Sequence, residues 1–147
     1  MKISTKGRYA LRALMYLAQN EKRKKPITIS EISKDQGISV KYLELIVRML
    51  VSLKMVKSIK GKNGGLVLAK KANKIRFLDI LKATEGSLSL VACVDNPKTC
   101  GRHKICYARN IWIDFSEIFA NRFRRVTLRQ LVNKYCGKNP RKAKSSR

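Results

Sequence analysis

Residues 27–58 read ITISEISKDQGISVKYLELIVRMLVSLKMVKS, and this stretch decides the fold. Thr28 and Glu31 have the T-x-x-E spacing of a capping box. In such a box the hydroxyl and the carboxylate each satisfy an orphaned backbone N–H, so a helix is expected to start at about Ile29. Gly37 is placed to end it, because glycine takes a left-handed helix end without a Cβ clash, and Ser39 can cap a second helix. In that helix Leu43, Ile46, Val47, Leu50 and Leu53 or Lys54 follow the i, i+3, i+4, i+7 rule and are expected to face a core. Lys41, Glu44, Leu45, Arg48 and Ser52 line the opposite face, most of them able to bond base edges or phosphates. The pattern is that of a helix-turn-helix. An ordinary helical hairpin with a solvated outer face also satisfies it.

The next residues separate the two readings. Val56 to Ala69, VKSIKGKNGGLVLA, places two apolar-containing runs around Asn63-Gly64-Gly65, and Asn-Gly suits the positive backbone angles of a tight hairpin turn. Lys57, Lys60 and Lys62 lead into the turn, and Lys70 and Lys71 leave it. A thin ribbon carrying so many cations is expected to be a wing lying along a groove or a phosphate track, where a plain surface hairpin would gain nothing from the repulsion.

Charge extends this expectation to the whole chain. Its 147 residues hold 34 Lys and Arg against 9 Asp and Glu, a formal charge of +25. Residues 1–82 carry 20 basic and 5 acidic side chains and residues 83–147 carry 14 and 4, so a basic tail alone does not explain the excess. A polyanionic partner is implied, with double-stranded DNA the fit to a winged helix. No signal peptide precedes the first helix, and no apolar run approaches the roughly 20 residues of a membrane span, so a cytoplasmic protein with no membrane partner is expected. There are no paired carboxylates in a plausible cleft, no P-loop, no dinucleotide fingerprint and no nucleophile with a histidine partner, which argues against an enzyme or a small-molecule substrate.

Outside the central stretch, Ser4 or Thr5 can cap a first helix whose buried stripe is Ala10, Leu11, Leu14, Leu17 and Ala18. Lys2, Lys6, Arg8 and Arg12 stand near its start, where cations oppose the helix dipole; phosphate contact and simple solvation both account for them. Lys22 to Lys25 form a basic connection. Phe77 to Glu85 is expected to be a short helix with Phe77, Ile80, Leu81 and Thr84 inward and Gly86 as its stop. Helix pattern returns from about Tyr107 to Arg125, where Ala108, Ile111, Trp112, Phe115, Ile118, Phe119 and Phe123 cover more than one narrow stripe. So wide an apolar surface needs two partners, its own winged domain and a second chain. Thr127 and Gln130 form another capping box before Leu128, Leu131 and Val132. The fold class expected is mainly α with a small β-hairpin wing. The expected divisions are a winged helix-turn-helix domain over 1–86, a cysteine loop over 87–106, a dimerisation helix and short final helix over 107–135, and a basic tail without periodicity over 136–147.

Several of these segments together carry a likeness. MKISTKGRYALRAL, ISEISKDQGISVKYLELIV, MVKSIKGKNGGLVLAK, IRFLDILKATEG and the later CVDN…C…C…IW, in that order over roughly residues 1–135, resemble the Rrf-two family of bacterial winged-helix regulators. The resemblance implies a homodimeric, sequence-specific DNA-binding repressor or activator that dimerises through a long helix after the cysteine loop. It also implies base contacts from Ser39, Lys41, Tyr42 and Glu44, with Arg48, Lys60, Lys62, Lys2, Lys6 and Arg8 as further DNA-binding candidates.

Cys93, Cys100 and Cys106 are separated by six and five intervening residues on a polar loop with His103 between the last two. Thiolates so spaced can converge on an iron-sulfur cluster, although the set lacks the C-x-x-C pairs of zinc modules and cytosolic cysteines are often small buried apolar residues. Sensors of the resembled family carry three cysteines in this loop, whereas other members lack them and respond to protein partners, so the resemblance favours a cluster, 2Fe–2S or 4Fe–4S. For the fourth ligand the chain departs from the family pattern. Arg109 stands where some members have histidine, and Arg8 where others have an acid. A guanidinium stays protonated and is a poor ligand. His103 is the first candidate, solvent, a small thiol or another side chain are others, and Cys136 is a distant one better read as a surface thiol. The alternatives are a cluster-free regulator of the same fold controlled by thiol oxidation or a protein partner, and a basic nucleic-acid-binding protein with structural zinc.

Overall fold

The computed structural model describes residues 3–136. Lys2 and the basic tail from residue 137 onward lie outside the described residues. Helix α1 (Thr5–Gln19) is followed by α2 (Ile29–Gln36), α3 (Val40–Ser52), an antiparallel pair of strands β1 (Val56–Ile59) and β2 (Gly65–Leu68), and α4 (Phe77–Glu85). A short turn of helix α5 (Ala92–Asp95), the long α6 (Tyr107–Arg125) and the single-turn α7 (Leu128–Leu131) complete the order, with a wider turn over Val132–Cys136. The chain is thus mainly helical with a two-strand hairpin and a long C-terminal helix, as the sequence pattern implies.

Local chemistry explains the starts and stops. Ser4 caps α1 by accepting from the Gly7 N–H at 3.0 Å, and its own N–H and hydroxyl donate to the Glu85 carboxylate at 3.2 and 2.9 Å, which pins α1 to the end of α4. Thr28 accepts from the Glu31 N–H at 3.1 Å. The reciprocal half of the expected box does not form. Glu31 instead accepts from the Tyr16 hydroxyl at 3.0 Å and from Arg23, a stronger charged partner than a backbone N–H. Burial and Glu31 push the Tyr16 hydroxyl up to about 12, so it remains a donor throughout the physiological range. Gly37, at φ 60° and ψ 41°, gives the left-handed end of α2. At Thr127 both halves of the capping box are present.

Leu43, Ile46, Val47 and Leu50 of α3 are buried together with Leu14, Leu17 and Ala10 of α1, Ile32 of α2, Val56 and Leu66 of the hairpin, and Ile80 of α4. Leu53 and Lys54, expected to continue the buried stripe, are exposed. The helix stops first: the Lys54 N–H reaches Val51 O, the Met55 N–H reaches Leu50 O, and Lys54 takes φ 54°. This is the two-bond ending in which a left-handed residue turns the chain and the next apolar side chain, here Met55, packs back on the helix. Leu128 and Val132 enter the same core, because the Phe77 N–H bonds Val126 O and the Leu128 N–H bonds Ile75 O, drawing the C-terminal segment against the start of α4.

The wing differs from expectation at its tip. β1 and β2 pair with Val56 opposite Leu68 and Ile59 opposite Gly65, so five residues, 60–64, make the turn. Its left-handed residue is Gly61 at φ 106°, and the Gly64 N–H closes onto Gly61 O at 2.9 Å. A two-residue Asn63-Gly64 turn would have put Lys62 opposite Gly65 and Val56 opposite Lys71. Burial of Val56 and Leu66 selects the other register. Ile27 adds a third short edge through its bridge to Leu66.

Candidate nucleic-acid interface and cysteine loop

The outer face of α3 is built by its inner face. Once Leu43, Ile46, Val47 and Leu50 are buried, helical geometry leaves Lys41, Glu44, Leu45 and Arg48 exposed along one side. Ser39, at the head of the helix, accepts from the Tyr42 N–H at 3.3 Å and keeps its own hydroxyl proton for an outside acceptor. Tyr42 is half-buried, edge-on to Tyr9 of α1 with ring centres 5.8 Å apart. Arg12 lies 5.3 Å over the Tyr9 ring, and its Nε donates to the Gln36 side chain at 3.2 Å while Nη2 reaches Gln36 O. Arg12 is therefore a bracket between α1 and the turn before α3, a role its basic character concealed. Tyr9 was also unmarked in the sequence, since an aromatic beside a helix stripe has no local signature of a cross-helix contact.

Lys60 and Lys62 stand exposed at the wing tip, and Arg8 is exposed near the start of α1 with Nη2 on the Thr5 hydroxyl at 2.9 Å. Lys6 is half-buried on the same turn. Through Tyr9 and Tyr42 the first half of α1 and the head of α3 are joined.

The cysteine loop is held from both ends. Asp95 accepts from the Ser87 hydroxyl and, at 2.6 Å, from the Ser89 hydroxyl, and these two donors hold its carboxyl below the usual range. The Leu90 N–H donates to Ser116 of α6 at 3.2 Å, and Arg109 Nε donates to Cys93 O at 3.0 Å. Arg109 thus ties the loop to α6 through its backbone. Cys93 lies in α5, Cys106 caps the start of α6, and Cys100 falls between them, with all three half-buried. His103 Nδ1 lies 2.9 Å from Cys100 O, which leaves Nε2 as the nitrogen able to bind a metal. The donor chemistry suits an iron-sulfur cluster, but the arrangement does not: among the described residues no group of three or more His, Cys, Asp or Glu is placed to hold a metal ion.

On α6 the side toward the winged domain carries Ser116, Ala120 and Phe123, the last edge-on to Phe77 of α4 at 5.1 Å. The other side leaves Ile111, Trp112, Phe115, Ile118 and Phe119 exposed, Ile118 by 60%. No helix among the described residues is long and apolar enough to cross a membrane.

Two helices around a left-handed glycine, a basic ribbon behind them and a polar helix face held outward define a winged helix-turn-helix protein. The family model described as Rrf2, iron-dependent transcriptional regulator, matches residues 3–134. The chain belongs to the Rrf2 family, and is accordingly a DNA-binding transcriptional regulator and not an enzyme. It is 34% identical over 141 residues to Protein rrf2 of Nitratidesulfovibrio vulgaris, a match covering 95% of this chain and 93% of that one. It is 33% identical over 133 residues to the HTH-type transcriptional regulator IscR of Klebsiella pneumoniae, covering 90% and 80%. Among solved structures it is similar to CymR, the global cysteine regulator of B. subtilis, with 31% identity, a TM-score of 0.76 and 91% and 98% of the two chains covered.

Proposed function

We propose that the chain is a cytoplasmic homodimeric regulator that reads duplex DNA with the head of α3, grips phosphates with the wing, and is controlled through the thiols of residues 87–106. The observation that carries the reading is the exposed row Lys41, Glu44, Leu45 and Arg48 on a helix fixed from behind by four buried aliphatic side chains. Glu44 is the selective member, since a carboxylate accepts from cytosine N4 and is repelled where only acceptors are offered. Glu44→Ala should relax sequence choice more than it lowers affinity in a binding-site selection. An equal loss for every sequence would show that Glu44 does not read bases. Lys60→Ala and Lys62→Ala should each reduce the slope of log K against log salt by about 0.9 if each meets one phosphate, leaving specificity intact.

The donors of the loop are open to two sensing chemistries. The donor set of Cys93, Cys100 and Cys106, together with a family described as iron-dependent, supports an iron-sulfur cluster, which when bound would supply a redox-sensitive charged centre beside α6. The thiols and His103 would need to move together to hold it. A metal-free thiol switch is the second reading, favoured by the separated placement of the same donors. The visible spectrum and iron content of protein purified without oxygen decide between them. Stoichiometric iron and sulfide lost equally in each of the three Cys→Ala variants supports the cluster; a colourless, metal-free protein whose DNA binding responds reversibly to oxidant supports the switch.

A further inference from the structure

The reading edge leaves a second concentration of cations unused. Glu21, just beyond α1, gathers three segments: one carboxylate oxygen accepts from the Ala72 N–H at 3.0 Å and the other pairs with Arg129 of α7. The basic connection after α1 is thereby set against the chain leaving the wing. Lys22, Lys24, Lys25, Lys70, Lys71 and Lys74 are all exposed there. Among the described residues the ion pairs are Arg23–Glu31 and Arg129–Glu21, so none of these six lysines is neutralised by a carboxylate.

This patch lies at the far end of the domain from the reading edge. Tyr9 touches Tyr42 at the head of α3, whereas Glu21 follows the far end of α1, whose last residue Gln19 is ten residues on, about 15 Å at 1.5 Å per residue. Lys70 and Lys71 likewise follow the inner end of β2, roughly 13 Å along the ribbon from the tip that carries Lys60 and Lys62. A duplex whose contacts are confined to the head of α3 and the wing tip would leave these lysines uncovered. Six unneutralised like charges held together repel one another unless a polyanion covers them.

We propose that this patch is a second duplex-DNA surface, by which the regulator holds a neighbouring segment of DNA while α3 engages another. Its chemistry is that of sequence-independent backbone contact. The two arginines in the patch, which could grip a group in a planar fork, are occupied by Glu31 and Glu21, leaving lysines as point charges. No large exposed aromatic lies within it to stack single-stranded bases. The inference goes beyond the reading of α3 and needs neither sensing chemistry.

The test mixes short random-sequence duplexes labelled separately with donor and acceptor dyes and reads energy transfer on adding the full-length protein. Wild type should bridge the duplexes. The variant with Lys22, Lys24, Lys70 and Lys71 all changed to Gln should lose transfer while still binding single duplexes through α3 and the wing with an unchanged salt slope. A variant with Lys41, Arg48, Lys60 and Lys62 changed to Gln should keep binding duplexes through the patch while losing sequence choice, so failure of the α3 reading and failure of this one give different patterns. Absence of transfer with wild type, or undiminished transfer in the patch variant, overturns the proposal, the latter because two α3 faces of one assembly would then do the bridging. Displacement by single-stranded RNA at lower concentration than by unlabelled duplex would reassign the surface to RNA and equally overturn it.

Discussion

Helices α1 and α6 are both amphipathic, yet they meet opposite fates. α1 spans 15 residues and buries seven of them against α2, α3, α4 and the C-terminal turn; α6 spans 19 and buries Ser116 alone. The difference is one of where each apolar face finds its partner. α1 is covered by its own chain, so its stripe is answered by Leu43, Leu50 and Ile80 within the same core. α6 presents Phe123 to its own domain and leaves Trp112, Phe115, Ile118 and Phe119 in solvent, a surface that fits the proposed second copy. Periodicity shows that a helix has an apolar face but not which molecule will cover it.

The largest expected effect separates the two helices directly. Leu14→Ala, at a fully buried position, should destabilise the winged core by about 3–5 kcal/mol in denaturant unfolding. Phe115→Asp combined with Ile118→Asp should leave that core standing while weakening self-association by about 2 kcal/mol or more, roughly thirtyfold in Kd, seen by sedimentation. If the α6 variant unfolded as readily as Leu14→Ala, α6 would be part of the monomer's core after all and the contrast would fail.

A smaller effect probes the junction that fixes α1. A Cβ on Gly7 would lie 2.1 Å from Glu85 Oε1 and 3.0 Å from Thr84 Oγ1, and Glu85 cannot swing away without releasing Ser4. Gly7→Ala should therefore cost about 1–3 kcal/mol despite the better helix propensity of alanine. A stabilised Gly7→Ala protein would mean the α1–α4 contact is slack. Smaller still, Lys54→Gly should stabilise by up to about 1 kcal/mol, because a lysine at φ 54° bears a steric cost that glycine lacks, partly offset by glycine's greater unfolded-state entropy. Thermal melting of the single variant checks the sign.

These sites also mark what was legible in advance. The bounds of α2, α4 and α6, the Ser4 and Thr127 caps and the buried face of α3 all follow from chemistry within a few residues of each site, where sequence is explicit. The Asn63-Gly64 turn misled because register is chosen by Val56 and Leu66 several residues away. The periodic rule carries the buried stripe on to Leu53 or Lys54 because it does not see the left-handed Lys54 that ends the helix. In the candidate interface the exposed α3 row was legible, but Tyr9, Arg12 and Glu21 were not, since their roles rest on partners 33, 24 and 51 residues distant. The path of the cysteine loop was least legible. It depends on Ser116 and Arg109 of a helix that comes after it.

The smallest expected effect sharpens the comparison through two carboxylates, one in each region, both held below the ordinary range. Glu31, beside α1, is lowered first by its bond to Arg23 and then by the Tyr16 hydroxyl; Asp95, in the loop docked on α6, is lowered by the hydroxyls of Ser87 and Ser89, with no cation among the causes. A depressed folded pKa stabilises the fold fully above the unfolded value and loses that contribution as pH falls through the folded value. Both anchors are therefore complete at neutrality and lose their contribution only as pH falls below the ordinary carboxylate range. Salt should tell them apart. Screening weakens an exposed ion pair but scarcely touches a hydroxyl donor, so raising ionic strength to about 1 M should move the Glu31 midpoint upward and leave that of Asp95 in place. Carboxyl-carbon NMR titration at low and high salt reads both midpoints in one sample, and Ser87→Ala with Ser89→Ala should return Asp95 alone toward the ordinary value. A salt-dependent Asp95 midpoint would mean that a cation of the loop, with Lys98 and Arg102 the nearest in sequence, takes part in the anchor, and that the two regions are held by the same kind of force.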